Sequence, residues 1–212
     1  MIAIVDYGVG NLRSVWKAFR YLGADARLTQ SPRDVAQARA IVLPGVGAFR
    51  DCMASLDRLG LVDPIVGAIK AGKPYLGICL GLQVLFEESE EFGKSRGLGV
   101  LKGQVLRFPA GMPAQAQGAR RFLTVPHIGW NSIQLLKPAP HLEGIPQEAH
   151  FYFVHSYFGL PQDPSVVATT TRYGVEFASS IWRENVFACQ FHPEKSQALG
   201  LRILRNFLSL QD

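Results

Sequence analysis

Two stretches far apart in the 212-residue chain carry residues able to make and break bonds. In Gly77-Ile78-Cys79-Leu80-Gly81 a cysteine stands between two glycines, where the apolar run 74–78 gives way to a helical pattern. Gly-x-Cys-x-Gly is the thiol counterpart of the Gly-x-Ser-x-Gly elbow, in which a tight strand-to-helix turn exposes a nucleophile and glycines let the backbone close around it. A thiol at a helix start also feels unpaired N–H groups and the positive end of the helix dipole, both of which favour thiolate. Taken alone, the pentapeptide reads equally as a structural cysteine buried in an apolar strand.

In Gln190-Phe191-His192-Pro193-Glu194-Lys195-Ser196 a histidine and a carboxylate stand two positions apart after an apolar strand. Residues i and i+2 of an extended chain project to the same side. Glu194 can then accept a hydrogen bond from one imidazole nitrogen while the other faces a thiol. A lone His-x-Glu is ordinarily a solvated strand end, but beside an elbow it completes a nucleophile, a base and a group that orients the base. Thioester chemistry also needs donors for a tetrahedral oxyanion. The N–H of Leu80 is one, and Pro44-Gly45-Val46-Gly47 offers others unless it is an ordinary glycine turn.

Bringing these groups together requires strands that end at one edge. Ile2–Val5 reads as a buried strand, and residues 11–22 as a helix with Leu12, Val15, Trp16, Phe19 and Leu22 at helical spacing. Between them, Asp6-Tyr7-Gly8-Val9-Gly10-Asn11 is a glycine-bearing turn. Ala26–Thr29 reads as a second strand, Ser31-Pro32 as the cap and first turn of a short helix, and residues 40–43 as a third strand. A helical region interrupted at Gly60 and Pro64 follows, then a fourth strand at 74–78. This alternation predicts an α/β fold: a doubly wound, mostly parallel sheet with helices on both faces.

In the C-terminal half, segments 105–108, 127–133, 150–154, 166–171, 177–182 and 186–191 read as antiparallel additions to the sheet. Residues 197–210 form a closing helix. The Ala, Gln and Gly-rich stretch 109–121 reads as a mobile surface loop. Ligands of open α/β sheets gather where strands end, and the turns after Val5, Leu43 and Ile78 open there.

With 48% hydrophobic and 18% charged residues, the chain can bury a sizeable core, which argues for one domain over 1–212 and against a disordered or fibrous protein. The N-terminus lacks the basic and apolar regions of a secretory signal, and no stretch approaches the roughly 18 to 20 apolar residues of a membrane span. The three cysteines, Cys52, Cys79 and Cys189, lack the spacing of a zinc site or a disulfide framework. A reducing cytoplasm, with no metal and no cofactor, is expected. The net charge of +5 is dispersed, with Arg120-Arg121 the only adjacent basic pair, so nucleic acid is not expected. A phosphorylated ligand or an acidic partner suits the charge equally.

Cys79 in GICLGLQ, followed far downstream by QFHPEKS, resembles the Cys-His-Glu set of class I glutamine amidotransferases. DYGVGN (6–11), PGVGAF (44–49), HIGWN (127–131) and YFVHSY (152–157) narrow the resemblance to the glutaminase subunits of imidazole glycerol phosphate synthases, and it runs from Ile2 to about Leu208. The resemblance implies the class I amidotransferase fold and hydrolysis of glutamine to glutamate and ammonia through a cysteinyl thioester. It also implies a heterodimer with a cyclase subunit, a TIM barrel of the HisF type. That subunit uses the ammonia to make imidazole glycerol phosphate and an aminoimidazole carboxamide ribotide (AICAR) in histidine biosynthesis.

By the same resemblance Cys79, His192 and Glu194 are catalytic, and Gly47, Leu80, Gln83, Glu91, Ser156 and Tyr157 bind substrate. Asn11, Trp130, Tyr152 and Lys195 face the cyclase. Glu91 reads either as a partner for an α-ammonium group or as a solvated member of the cluster Glu87-Glu88-Glu90-Glu91. Trp130 reads as an interface anchor or as a core tryptophan. Three competing readings remain. Amidotransferase subunits of pyridoxal phosphate, anthranilate or aminodeoxychorismate synthesis are not expected to combine DYGVGN, PGVGAF and HIGWN. A cysteine peptidase or chaperone-like hydrolase typically differs in the third triad member, and a non-catalytic module would not need all three.

Overall fold

The computed structural model describes residues 1–113 and 122–210. The first half of the chain runs β1 (Ile2–Val5), α1 (Leu12–Tyr21), β2 (Ala26–Thr29), α2 (Pro32–Gln37), β3 (Ala40–Gly45), α3 (Phe49–Arg58), α4 (Val62–Lys70), β4 (Tyr75–Cys79) and a single helical turn, α5 (Leu80–Gln83). It continues through β5 (Phe86–Ser89), β6 (Ser95–Arg96), β7 (Leu101–Arg107), β8 (His127–Ser132), β9 (Gln134–Leu135), β10 (His150–His155), β11 (Tyr157–Pro161), β12 (Val167–Tyr173), β13 (Val175–Arg183) and β14 (Val186–Cys189) to α6 (Gln197–Ser209).

Side-chain alternation along the strands builds two cores, one on each face of the main sheet. Ile2 and Ile4 of β1 pack with Val15 and Phe19 of α1 and with Ile203, Leu204 and Phe207 of α6. Ala3 and Val5 turn the other way, toward Val35 of α2, Phe49, Cys52 and Leu56 of α3 and Ile65 of α4. Helices thus cover both faces, as parallel strands without a polar side require. The main sheet has eight strands in the order β2-β1-β3-β4-β14-β13-β12-β9. The first five are parallel to one another, and β13, β12 and β9 add on antiparallel.

Several expectations are corrected. Segment 186–191 is not an antiparallel addition: β14 lies parallel to β4 in mid-sheet, and all four of its side chains are buried, as a strand covered on both faces demands. Segments 105–108, 127–133 and 150–154 do not extend the main sheet. Strands β11, β7, β5 and β6 form a separate four-stranded sheet, and β8 with β10 a two-stranded ribbon. The helical pattern after Cys79 ends at Gln83, because the carbonyls of Val84 and Leu85 accept from the amides of Leu98 and Leu101 at 2.7 and 2.9 Å, not from a next helical turn. Pro64 does not interrupt a helix. It sits in the first turn of α4, where no intrahelical donor is needed. Of the expected loop 109–121, residues 114–121 lie outside the described residues.

Two predictions follow from the packing. A Cβ on Gly81 would overlap the carbonyl oxygen of Leu43, backbone that cannot yield without moving β3. Gly81→Ala should therefore destabilise the protein by about 1–3 kcal/mol in chemical unfolding and disturb the elbow. An unchanged midpoint would show that the elbow has room. His141 is 3% exposed, stacked on Phe187 at 4.4 Å, and burial lowers its pKa from its ordinary 6.5 to about 4. The unfolded chain binds that proton below about pH 6.5 and the folded one does not, so stability is full above that pH and is lost as pH falls toward 4. The slope is about 1.4 kcal/mol per pH unit for this group, and His141→Phe should flatten it in unfolding scans at pH 7, 6 and 5.

Candidate active site

The carboxyl ends of β1, β3, β4 and β14 meet at one edge of the sheet. Gly45 at the end of β3 lies in register with Cys79 at the end of β4, and Ile78 with Cys189 of β14. That register sets the PGVG turn on one side of Cys79 and the QFHPE segment on the other. Cys79 has φ 54° and ψ −103°, a left-handed conformation that costs a non-glycine residue about 1–3 kcal/mol. The strain is held by close packing: Gly77 and Gly81 leave no room for a Cβ, and the Tyr75 hydroxyl donates to the Gly81 carbonyl at 2.8 Å. The expected elbow is present. Because α5 is only one turn long, however, local N–H groups rather than a long helix dipole act on the thiol.

His192 and Glu194 do not sit on an extended strand end. His192 enters a short 3-10 turn, Pro193–Lys195, and that turn brings its Nδ1 to 2.8 Å from Oε1 of Glu194. The side chains are 2% and 1% exposed. The backbone around them is pinned. His192 N–H donates to the Tyr152 carbonyl at 2.9 Å, and the Ser196 hydroxyl donates to the His192 carbonyl at 2.7 Å. Burial lowers the His192 pKa, but Cys79 and then Glu194 outweigh it and raise it to about 10. Nε2 has no hydrogen-bond partner within normal limits, which leaves it available to the thiol whose presence raises the imidazole's pKa. The other two cysteines are ill placed for reaction: burial pushes the Cys52 thiol up to about 12 and holds that of Cys189 well above its usual range.

Beside Cys79 lies a cavity of about 250 Å³, bordered by Gly47, Leu80, Gln83, Glu91, Ser156 and Tyr157, with His155 and Val154. All six residues assigned to substrate by resemblance thus face one space. Glu91 is not a freely solvated member of its acidic cluster, because Oε2 accepts the Phe49 N–H at 2.6 Å at the start of α3. A larger depression of about 890 Å³, bordered by Glu87, Arg96 and Leu160, contains no nucleophile. Sequence reasoning missed Gln190. Its side-chain amide donates toward Cys79 Sγ at 3.5 Å and its Oε1 accepts from Gln83 at 3.1 Å. The signal was its place two residues before His192. Also missed were the buried His127 and His155, which lie 3.0 Å apart beside the cavity.

The residues assigned to a partner face lie around the triad. Asn11 Nδ2 donates to Glu194 Oε1 at 3.1 Å. Trp130 pairs with Tyr152 across the β8–β10 ribbon, edge to face at 6.2 Å, and the Lys195 ammonium stands 5.6 Å above the Tyr152 ring. Trp130 is 48% exposed, so it is not a core tryptophan, and Ile128, on the same face of β8, is 59% exposed. Among the described residues no group of three or more His, Cys, Asp or Glu could hold a metal ion, and no helix is long and apolar enough to cross a membrane.

Comparison with known proteins fits this arrangement. Residues 3–210 match the family Glutamine amidotransferase class-I. The chain is 56% identical over 207 residues to Imidazole glycerol phosphate synthase subunit HisH of Syntrophotalea carbinolica, covering 98% of each chain. It is 53% identical to the protein of the same name from Geobacter sulfurreducens, over 97% of each. Among solved structures it superposes on PurLQS from Thermotoga maritima with a TM-score of 0.76 at 18% identity, covering 100% of this chain and 98% of that one. On a crystal structure of a glutamine amidotransferase the TM-score is 0.73 at 22% identity, covering 100% and 99%. At those identities the structures speak for the fold. The sequence relatives go further, and with the cysteine elbow and its His-Glu pair in one site they place the chain in the class I glutamine amidotransferase family, among the HisH subunits of imidazole glycerol phosphate synthase.

Proposed function

We propose that the chain hydrolyses glutamine to glutamate and ammonia and hands the ammonia to a cyclase subunit, as the glutaminase half of imidazole glycerol phosphate synthase in cytoplasmic histidine biosynthesis. The observation that carries this reading is Cys79 on the wall of a cavity of about 250 Å³ at the carboxyl edge of the sheet, with the buried His192–Glu194 pair acting on its thiol.

Cys79 attacks the carboxamide carbon as a thiolate, its proton having passed to His192. Collapse of the tetrahedral intermediate breaks the C–N bond, and His192 protonates the departing nitrogen as ammonia. A glutamyl thioester remains on Cys79. His192, now neutral, takes a proton from water, hydroxide attacks the thioester carbonyl, and glutamate leaves as the thiol is restored. Glu194 accepts from Nδ1 throughout, which keeps Nε2 directed at the reacting atoms. The Leu80 N–H, first of its helix, and the PGVG turn supply donors to the oxyanion, each worth about 3 kcal/mol when well aimed.

Ammonia is of use only where it is consumed, which favours low turnover until a partner is loaded. The PGVG turn is a suitable lever. Gly47 has φ +98°, and the buried Tyr7 hydroxyl, with no hydrogen bond of normal geometry but with Val46 and Cys52 near it, presses on Gly45 so closely that no Cβ fits there. A hydroxyl accepts from an N–H or donates to a carbonyl, so it can serve the turn before or after a peptide reorients. The exposed Trp130 and Ile128, with Lys195 above Tyr152, form the partner face for the cyclase, and ordered aromatics of this kind anchor interfaces.

Glutamate release from glutamine should rise when a HisF-type cyclase and its ligand are added, and Cys79→Ala should bring it to background under both conditions. Release that survives in Cys79→Ala sinks the mechanism, and equal rates with and without the loaded partner remove the gating. Glu194→Gln should lower kcat on the order of 10²-fold. With that negative charge gone, the His192 titration midpoint, followed by NMR, should fall below about 10, while Cys79 still holds it above the value that burial alone would give. An unmoved midpoint would show that Glu194 does not govern the imidazole.

A further inference from the structure

His127 and His155 are 2% and 6% exposed, in a pocket otherwise lined by aromatic rings. His127 stacks on Tyr173 at 4.0 Å and on Phe153 at 4.9 Å. Packing alone would be served better by phenylalanine there, because two buried imidazoles need partners for four nitrogens. All four are partnered, through three short contacts whose donor and acceptor roles are fixed by the groups at either end.

One acceptor fixes the direction of every hydrogen in the network. His155 Nδ1 lies 2.9 Å from the Tyr157 carbonyl oxygen, which can only accept, so Nδ1 carries the hydrogen. Burial lowers the His155 pKa to about 3, so the ring is neutral and its Nε2 is a bare acceptor. His127 Nδ1 stands 3.0 Å from that Nε2 and must donate. His127 is neutral as well, its pKa lowered by burial to about 4, which leaves its own Nε2 to accept from Asn131 Nδ2 at 3.2 Å. The Asn131 amide is oriented independently: Nδ2 also donates to the Arg172 carbonyl at 3.1 Å, and Oδ1 accepts the Ser132 N–H at 2.8 Å. All hydrogens therefore point one way, Asn131 to His127 to His155 to the Tyr157 carbonyl.

That carbonyl is a junction. It also accepts from Gln83 Nε2 at 2.8 Å. Gln83 in turn donates to Gln190 at 3.1 Å, and Gln190 toward Cys79 Sγ at 3.5 Å. At the other end, Asn131 adjoins Trp130 on β8, and His127 and His155 are directly paired residues of the ribbon. We propose that the His127–His155 pair is a positioning unit for the glutamine pocket, fixing the Tyr157 carbonyl, and through it Gln83 and Gln190, in register with the ribbon that bears Trp130 and Tyr152. A shift of β8 against β10 lengthens the contact between the two rings and loosens one wall of the cavity. This rests on the reading of that cavity as the glutamine site.

The test is steady-state glutaminase kinetics of His127→Phe in complex with a cyclase. Phenylalanine keeps the stacked ring and removes both nitrogens. KM for glutamine should rise on the order of tenfold with kcat changed less than about twofold, and His127→Gln, whose amide retains one donor and one acceptor, should restore most of the loss. A folded His127→Phe with wild-type KM overturns the proposal. If that variant does not fold, the imidazole ¹⁵N shifts of the wild-type protein decide. Both rings should be neutral with the proton on Nδ1 at pH 7, and a proton on Nε2 of His155 overturns the chain of donors. That spectrum is readable even in a protein that does not turn over glutamine, so failure of the glutaminase reading and failure of this one are separable.

Discussion

One buried carboxylate ties the site together. Glu194, with its side chain 1% exposed, accepts at the same oxygen from His192 Nδ1 at 2.8 Å and from Asn11 Nδ2 at 3.1 Å. A carboxylate taken out of water is tolerated only where donors and positive charge compensate it, and here both come from fixed points of the backbone. His192 is held by the Tyr152 carbonyl and by Ser196, and Asn11 by the turn that links β1 to α1. The same contact therefore orients the base and joins the first turn of the fold to the last strand of the sheet. Asn11, Tyr152 and Lys195, assigned by resemblance to a partner face, all lie within one residue layer of the triad. A partner seated there would press on the residues that aim the imidazole.

The parallel sheet makes that contact possible. With β3, β4 and β14 adjacent and in register, a glycine turn, a thiol and a His-Glu turn emerge side by side from one edge, where an open α/β sheet places its ligands. The conformational cost falls on Cys79, whose positive φ is enforced by backbone packing of Gly77 and Gly81 against their neighbours. The tight backbone below the nucleophile holds the thiol, and the PGVG turn stands beside it, with the buried Tyr7 hydroxyl against Gly45.

Much of this was legible in the sequence. Apolar runs followed by glycine-bearing turns gave three of the four N-terminal strands, and Gly-x-Cys-x-Gly with His-Pro-Glu named the site, because two motifs that are each ambiguous alone together supply a nucleophile, a base and a group that orients the base. What stayed hidden depends on pairing partners, which local pattern does not encode. Phe86–Ser89 carries an apolar and acidic pattern that suits a helix, yet the carbonyls of Val84 and Leu85 bond to amides at 98 and 101. The direction of β14 was set by its neighbour β4 and not by its own residues. His192 and Glu194 were paired correctly for a different geometric reason, a 3-10 turn in place of an extended strand. Gln190, His127 and His155 were overlooked because a buried polar side chain declares its role only through what it meets, and those partners lie up to 111 residues away.

The central claim is that glutamine becomes covalently attached to Cys79 and to no other thiol. Rapid acid quenching of the protein turning over glutamine, followed by peptide mass spectrometry, reads this directly, since a thioester survives at low pH. The account predicts one glutamyl adduct, on the peptide that contains Cys79, with Cys52 and Cys189 unmodified. Steady glutamate release with no adduct on Cys79, or an adduct on either of the other cysteines, would contradict it.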